Sequence, residues 1–137
     1  MLSGQAVYLS PGTSIGGFVN VHAGGALWAQ GAKISGPLYA SGANAIRLCG
    51  TTVTGPLSMK ASGLIVIGDD DGPVACGGNK ITGPLSITGG YGGVEFDGNT
   101  LAGSLTITGN TGTLPPPDIG TVDVTGNKVS GPVRIQP

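Results

Sequence analysis

Residues Gly78–Gly89 read GNKITGPLSITG, and nearly the same phrase returns at Gly126–Ile135 as GNKVSGPVRI. A looser copy, GTTVTGPLSM, occupies Gly50–Met59. The glycine of the Gly-Pro step, or its counterpart where the proline is absent, recurs at intervals of 19, 19, 28, 20 and 28 residues: Gly17, Gly36, Gly55, Gly83, Gly103 and Gly131. The chain therefore consists of six copies of a short unit, two of them lengthened by an insertion.

Within each copy, apolar residues alternate with polar ones on both sides of the Gly-Pro step, which is the pattern of strands with one buried face. The copies span Ser3–Val21, His22–Ala40, Ser41–Met59, Lys60–Ile87, Thr88–Ile107 and Thr108–Ile135. Recurrent glycines mark corners where φ can be positive, and proline suits a corner better than a central strand. One apolar column is predicted to face the centre: Ile15, Ile34, Val53, Ile81, Leu101 and Val129.

A unit this short cannot bury its own apolar edge, but stacked units bury it against one another. The pattern therefore predicts an all-β fold, a parallel β-solenoid of about six coils in which residues 1–137 form a single domain. Strands of successive coils would pair about 4.8 Å apart. A second alternating pair precedes the corner, as in Ile46 and Leu48, and its counterpart in the fourth copy is predicted to be Val74 and Cys76.

A polar column accompanies these apolar ones. Asn79, Asn99 and Asn127 follow the corner glycine in the last three copies. Either their amides hydrogen-bond in a ladder along the solenoid, or asparagine stands there only because it tolerates tight turns. The earlier copies carry other residues at this position, so a ladder would cover half of the stack.

Composition excludes several classes of protein. The 137 residues include 28 glycines and 10 prolines but only 9% charged residues, and the net charge is −1. Regular Val, Ile and Leu distinguish the chain from disordered sequences. Six scattered basic residues argue against a nucleic-acid partner, and no apolar run is long enough to span a membrane. No signal peptide is recognisable in MLSGQAVYL, so the chain is expected to be a domain, whole or cut from a longer extracellular protein.

Two phrases, TGNKVSGPV at Thr125–Val133 and GGNKITGPLSITG at Gly77–Gly89, resemble the repeats of right-handed parallel β-helix domains. The resemblance is to the glycine-rich type found in secreted actinobacterial proteins, and it covers most of the chain from Gly12 onward. It implies a secreted or cell-surface location and no particular activity, because the matching residues are corner and core positions. The repeat length is also close to that of left-handed hexapeptide solenoids, whose hexapeptide pattern is absent, so the hand of the coil stays open.

The acidic phrase IGDDDG, Ile67–Gly72, lies in the first insertion. Its Asp69, Asp70 and Asp71 are weak candidates for a calcium site, because calcium is held by carboxylate and carbonyl oxygens. The other interpretation is a solvated loop, and this one is favoured.

Some pectin-degrading β-helix enzymes carry an adjacent Asp pair in a similar phrase, together with a His-Gly and an Arg-Ile-Lys step. Here His22, the only histidine, precedes an alanine, and the Arg-Ile at 134–135 precedes a glutamine. The supporting residues of that site are thus missing. No catalytic residue and no cofactor are predicted, and the chain is not expected to be an enzyme.

Cys49 and Cys76 are the only cysteines. A disulfide between them would suit a secreted protein. However, the predicted columns place Cys76 facing the core and Cys49 one position further on, at a corner, and alternate residues of a strand point to opposite faces. The two arguments oppose each other, and the disulfide stays an open alternative.

Two sets of outward residues are candidates for ligand binding. Exposed aromatic rings stack on sugars or contact another domain, and here they are Tyr8, Trp28 and Tyr39. Rows of small hydroxyls on a flat sheet are typical of ice-binding solenoids, and here they are Ser86, Thr88, Thr106 and Thr108.

The favoured function is a non-catalytic, extracellular structural or adhesive module. Since both ends of the stack look poorly capped, self-association through the coil ends is expected, or continuation in a longer chain. The alternatives are a surface that binds polysaccharide or ice and, least favoured, an enzyme acting on polysaccharide.

Overall fold

The computed structural model of the protein describes residues 6–68, 77–112 and 122–136. These residues form eighteen short strands and no helix, arranged in three parallel sheets of six strands. Sheet I comprises β1 (Ala6–Leu9), β4 (Ala26–Gln30), β7 (Ala45–Cys49), β10 (Leu64–Ile67), β13 (Val94–Asp97) and β16 (Val122–Thr125). Sheet II comprises β2 (Ser14–Ile15), β5 (Lys33–Ile34), β8 (Thr52–Thr54), β11 (Lys80–Thr82), β14 (Thr100–Ala102) and β17 (Lys128–Val129). Sheet III comprises β3 (Val19–Val21), β6 (Leu38–Ser41), β9 (Leu57–Lys60), β12 (Leu85–Thr88), β15 (Leu105–Thr108) and β18 (Val133–Gln136).

Each coil contributes one strand to each sheet, and every strand pairs in parallel with the strand of the next coil. The apolar column predicted to face the centre lies in register through sheet II: Ile15, Ile34, Val53, Ile81, Leu101 and Val129. The prediction of a six-coil parallel β-solenoid is confirmed.

Apolar side chains of all three sheets form one hydrophobic core in the narrow interior of the solenoid, which we call the bore. In the middle coils these side chains are almost fully buried, as at Ile34, Val53 and Ile81. Like residues stack on like: Leu38, Leu57, Leu85 and Leu105 form a continuous column in sheet III. Because burying a side chain of this size contributes roughly 1.5–3 kcal/mol, the bore stabilises the register and thereby decides which residues face outward.

The fourth coil corrects one prediction. Its strand in sheet I is β10, with Ile65 and Ile67 in the bore. Val74 and Cys76, predicted for those places, lie outside the described residues. The prediction was wrong because 64–67 is apolar at every position and the outward Val66 is buried as well. A strand covered on both faces loses the alternation that identifies it in a sequence.

The glycines of the Gly-Pro step stand where consecutive coils approach each other closely. A Cβ on Gly83 would lie 2.7 Å from the carbonyl group of Gly55, and one on Gly103 would lie 2.5 Å from the carbonyl oxygen of Gly83. Gly83 also has a φ of 132°, which side chains of L-residues rarely tolerate. Lack of space and backbone conformation therefore both require glycine at this corner.

The asparagine column forms a hydrogen-bonded ladder between sheets I and II. Nδ2 of Asn79 donates to Oδ1 of Asn99 at 2.9 Å, and Nδ2 of Asn99 donates to Oδ1 of Asn127 at 3.0 Å. The amides of Asn79 and Asn99 also donate to the carbonyl oxygens of Leu48 and Ile67 at the ends of β7 and β10. The ladder hypothesis is confirmed over the last three coils.

Candidate functional site

The outer face of sheet I carries a row of large side chains on its first three strands. Tyr8, Trp28 and Arg47 are direct neighbours in β1, β4 and β7, and we call them the Tyr8–Trp28–Arg47 row. The rings of Tyr8 and Trp28 meet edge to face, with centroids 5.3 Å apart. Cζ of Arg47 lies 5.4 Å from the centroid of the Trp28 ring. Contacts of these two kinds contribute roughly 0.5–1.5 kcal/mol each, so the row is held in place while Tyr8 and Trp28 stay 52% and 41% exposed.

A shallow groove runs beside this row. The period-two alternation places a second outward column two residues earlier, and its members in β1, β4 and β7 are Ala6, Ala26 and Ala45. Short methyl groups beside long side chains leave a groove of about 380 Å³, which Leu64 and Val66 continue on β10. A mostly apolar concavity with few polar groups is the usual form of a small-molecule site.

Arg47 supplies the positive charge of the groove. Its neighbours in the row are Trp28 and Val66, and neither can pair with a cation through a carboxylate. Its Nε is buried and has no hydrogen-bond partner within residues 6–68, 77–112 and 122–136; a buried donor without a partner costs roughly 1–3 kcal/mol. The sequence interpretation did not select Arg47, although its place between the inward Ile46 and Leu48 puts it outward beside Trp28.

Sheet III presents the hydroxyl rows and Tyr39 on a different face. Ser86 pairs with Thr106, and Thr88 pairs with Thr108, so the structure brings these four together as half-buried outward residues. Tyr39 stands in the row of Ser86 and Thr106. The structure therefore separates Tyr39 from Tyr8 and Trp28, with which the sequence interpretation had grouped it.

The hydroxyl rows of sheet III are short. Lys60 precedes Thr88 in one row, and Arg134 follows Thr106 in the other. Long charged side chains at these positions interrupt the flat array, as the sequence predicted. Small hydroxyls therefore follow one another over three coils in one row, Ser58, Ser86 and Thr106, and over two coils in the other.

Three acidic residues approach each other on the outer face of sheet I at its other end. Glu95 and Asp97 of β13 and Asp123 of β16 have carboxylate oxygens within 4.8 Å of one another. Glu95 and Asp97 are buried, and Oδ1 of Asp97 accepts hydrogen bonds from the N–H and the hydroxyl of Thr125 at 3.0 and 2.9 Å. Each of the three acids has a further contact of its own. Oxygen ligands of this kind suit hard cations, and this is the one group of three acidic, cysteine or histidine ligands that the described residues form.

The sequence interpretation missed these acids and selected Asp69, Asp70 and Asp71 instead, which lie outside the described residues. A signal was present, because aligning the repeats places Glu95 over Asp123. The apolar residues on either side, Val94 and Phe96, align with Val122 and Val124, and the acidic residues between them were overlooked.

Cys49 lies at the end of β7, where it is buried against Val66, and it is disulfide-bonded. The only other cysteine of the chain is Cys76, which lies outside the described residues. The sequence argument against the disulfide assumed that Cys76 faces the bore. That argument lapses because Ile65 and Ile67 of β10 fill the bore in this coil.

No protein family, no curated protein and no solved structure matches this chain. Among the described residues, no helix has the length and apolarity needed to cross a lipid bilayer.

Proposed function

We propose that this protein is a non-catalytic, extracellular adhesive module that binds polysaccharide through the outer face of sheet I. One observation carries the proposal: exposed Tyr8 and Trp28 stand in line with Arg47 beside a groove with an alanine floor. Sugars combine apolar C–H faces with polar hydroxyl edges. A groove with aromatic walls and a few polar groups matches both parts.

The rigidity of the sheet supports this function. The row stands on paired parallel strands of successive coils, and the bore beneath it is tightly filled. Side chains held in place before binding lose little conformational entropy when the ligand arrives. The spacing of the row along the solenoid, about 4.8 Å per coil, presents successive contacts to an extended polymer.

The extracellular location is supported by Cys49. Structural disulfides persist in oxidising compartments and are rare where glutathione keeps thiols reduced. A disulfide-bonded cysteine in a chain with two cysteines therefore fits the secreted or cell-surface location that the repeat phrases imply.

The test is binding to a panel of polysaccharides by affinity electrophoresis, followed by calorimetry on those that retard the protein. Trp28→Ala should weaken binding at least tenfold, about 1.4 kcal/mol. Tyr39→Ala is the matched control, because Tyr39 is as exposed as Trp28, 42% against 41%, and lies on sheet III. Equal losses in the two variants, or binding untouched by Trp28→Ala, would contradict the proposal.

A second function, end-to-end association of copies, is favoured by the ends of the solenoid. Val133 of β18 is 53% exposed, and apolar residues of the first coil line a hollow of about 280 Å³, among them Val7, Leu9 and Ile15. Each end presents strand edges that have one neighbour among the described residues, and such edges can pair with another chain. The strands at the two ends of each sheet are similar in length: four residues in β16 and β1, two in β17 and β2, and four and three in β18 and β3. A second copy stacked on the end could therefore extend all three sheets.

Sedimentation across a range of concentrations tests this association. The average mass should rise with concentration for the wild type and stay at the monomer value for Val133→Lys, which places a charge in the contact. Thr82→Lys, at an exposed position in the middle of sheet II, should behave as the wild type. A wild-type protein that remains monomeric at every concentration would contradict the association.

A further inference from the structure

We propose that the saccharide bound on sheet I carries an anionic group, a uronate carboxylate or a sulfate ester, and that Arg47 binds it. This inference rests on the proposed polysaccharide binding and specifies the chemistry of the ligand. A carboxylate and a sulfate ester each present two oxygens on one central atom, and a guanidinium fork can donate two parallel hydrogen bonds to such a pair.

The position of Arg47 is the first argument. It stands on the third strand of the row, and it lines the groove together with Trp28 and Ala45. A ligand that packs along Tyr8 and Trp28 therefore reaches the guanidinium without leaving the groove. The Tyr8–Trp28–Arg47 row thus offers an apolar contact and a cationic contact to neighbouring parts of one polymer.

The hydrogen bonding of Arg47 is the second argument. Cζ of its guanidinium lies over the Trp28 ring, 5.4 Å from the ring centroid, and a cation–π contact requires none of the N–H donors. The N–H donors lie in the guanidinium plane, and the buried Nε donates to none of the described residues. A bound anion would accept from the terminal N–H groups of the guanidinium, which the contact with Trp28 leaves available.

The surroundings of Arg47 are the third argument. Ala26, Ala45, Leu64 and Val66 line the groove around it, and they exclude water from one side. The attraction between opposite charges is stronger where apolar groups lower the local dielectric constant. In the same row the nearest carboxylate is that of Glu95, two coils away beyond Val66, roughly 10 Å by the strand spacing.

The experiment compares charged and neutral forms of the same backbone by calorimetry. Oligogalacturonate and its methyl ester test the carboxylate, and carrageenan oligosaccharides before and after desulfation test the sulfate. The wild type should bind one charged form at least tenfold more tightly than its neutral partner, and the pair that shows the difference identifies the anion. This preference should shrink as salt is raised from about 0.02 to about 0.5 M, because salt screens exposed charges.

Variants assign the preference to Arg47. Arg47→Gln should bind the charged and neutral forms equally, and Arg47→Lys should retain part of the preference, since it keeps the charge but loses the fork. Lys60→Gln, which removes an exposed cation on sheet III, should leave the preference unchanged. Circular dichroism should show that each variant is folded. If Arg47→Gln does not fold, a reduced preference for the charged form in Arg47→Lys is the test of the role of Arg47.

The outcomes separate the two proposals. Equal affinity of the wild type for charged and neutral forms, or a preference that survives Arg47→Gln, would overturn the role of Arg47 and leave polysaccharide binding intact. Absence of binding to every saccharide would overturn both. Trp28→Ala should weaken binding of both forms, whereas Arg47→Gln should weaken binding of the charged form only.

Discussion

The outer faces of sheets I and III belong to the same six coils, but their outward side chains differ in size. On sheet I, a column of alanines runs beside Tyr8, Trp28 and Arg47, and the difference in length between the two columns creates the concavity. On sheet III, both outward columns carry small hydroxyls in the fourth and fifth coils, Ser86 beside Thr88 and Thr106 beside Thr108, so the two columns do not differ in length there. The backbone provides two equivalent surfaces, and the contrast in side-chain size decides which of them can enclose a ligand.

The largest effect is expected from a substitution that disrupts the stacked coils, on which both faces depend. Gly83→Val places a branched side chain against the carbonyl group of Gly55, at a φ of 132°. We expect a loss of about 4 kcal/mol or more in the free energy of unfolding, since overpacking and backbone strain add. Urea unfolding followed by circular dichroism measures it.

Gly16→Ala is the control for this substitution, because its Cβ would meet nothing within 4 Å and its φ is not in the positive region. The control should change stability by less than about 0.5 kcal/mol. If the Gly83→Val protein were as stable as the wild type, the close approach of the coils at this corner would not be required for the fold. The register on which both surfaces depend would then be in doubt.

A smaller effect is expected from a substitution that removes the difference in side-chain length between the two outward columns of sheet I. Ala26→Leu fills the middle of the alanine column and flattens the groove without touching the bore, because Ala26 faces outward in β4. We expect saccharide affinity to fall about tenfold, or about 1.4 kcal/mol, with the unfolding midpoint nearly unchanged.

Ser58→Leu, an outward substitution in β9 of sheet III, is the matched control and should leave saccharide binding as it is. Calorimetry on both variants gives the comparison. If Ala26→Leu bound saccharide as well as the wild type, the groove would not be the site, and the exposed rings alone would have to account for binding.

The candidate site was partly accessible from the sequence. The alternation placed Tyr8 and Trp28 outward and close together, and the structure agrees. Tyr39 was grouped with them although the corner glycines Gly31 and Gly36 separate it from Trp28 in the chain, and the structure places it on sheet III. Glu95 and Asp123 were not selected, although the repeat alignment already placed them side by side and the two are neighbours in sheet I.

The fourth coil shows the limit of pattern reasoning. Four consecutive apolar residues in β10 conceal the inward pair Ile65 and Ile67, and the pair was placed at Val74 and Cys76 instead. That error also produced the argument against a disulfide at Cys49, although Cys49 is disulfide-bonded in the structure. Where the outer face of a strand is covered, periodicity no longer distinguishes inside from outside.

The repeats in the sequence were enough to establish the number of coils, the residues of the bore in five of them, the corner glycines and the position of the asparagine column. These features repeat at a short interval, and each copy repeats the same steric and hydrogen-bonding requirement. Only the tertiary structure decided which outward residues meet: the Tyr8–Trp28–Arg47 row, the alanine groove and the acidic group. Their members are distant in the chain and become neighbours through the register between coils, which depends on how each insertion is accommodated.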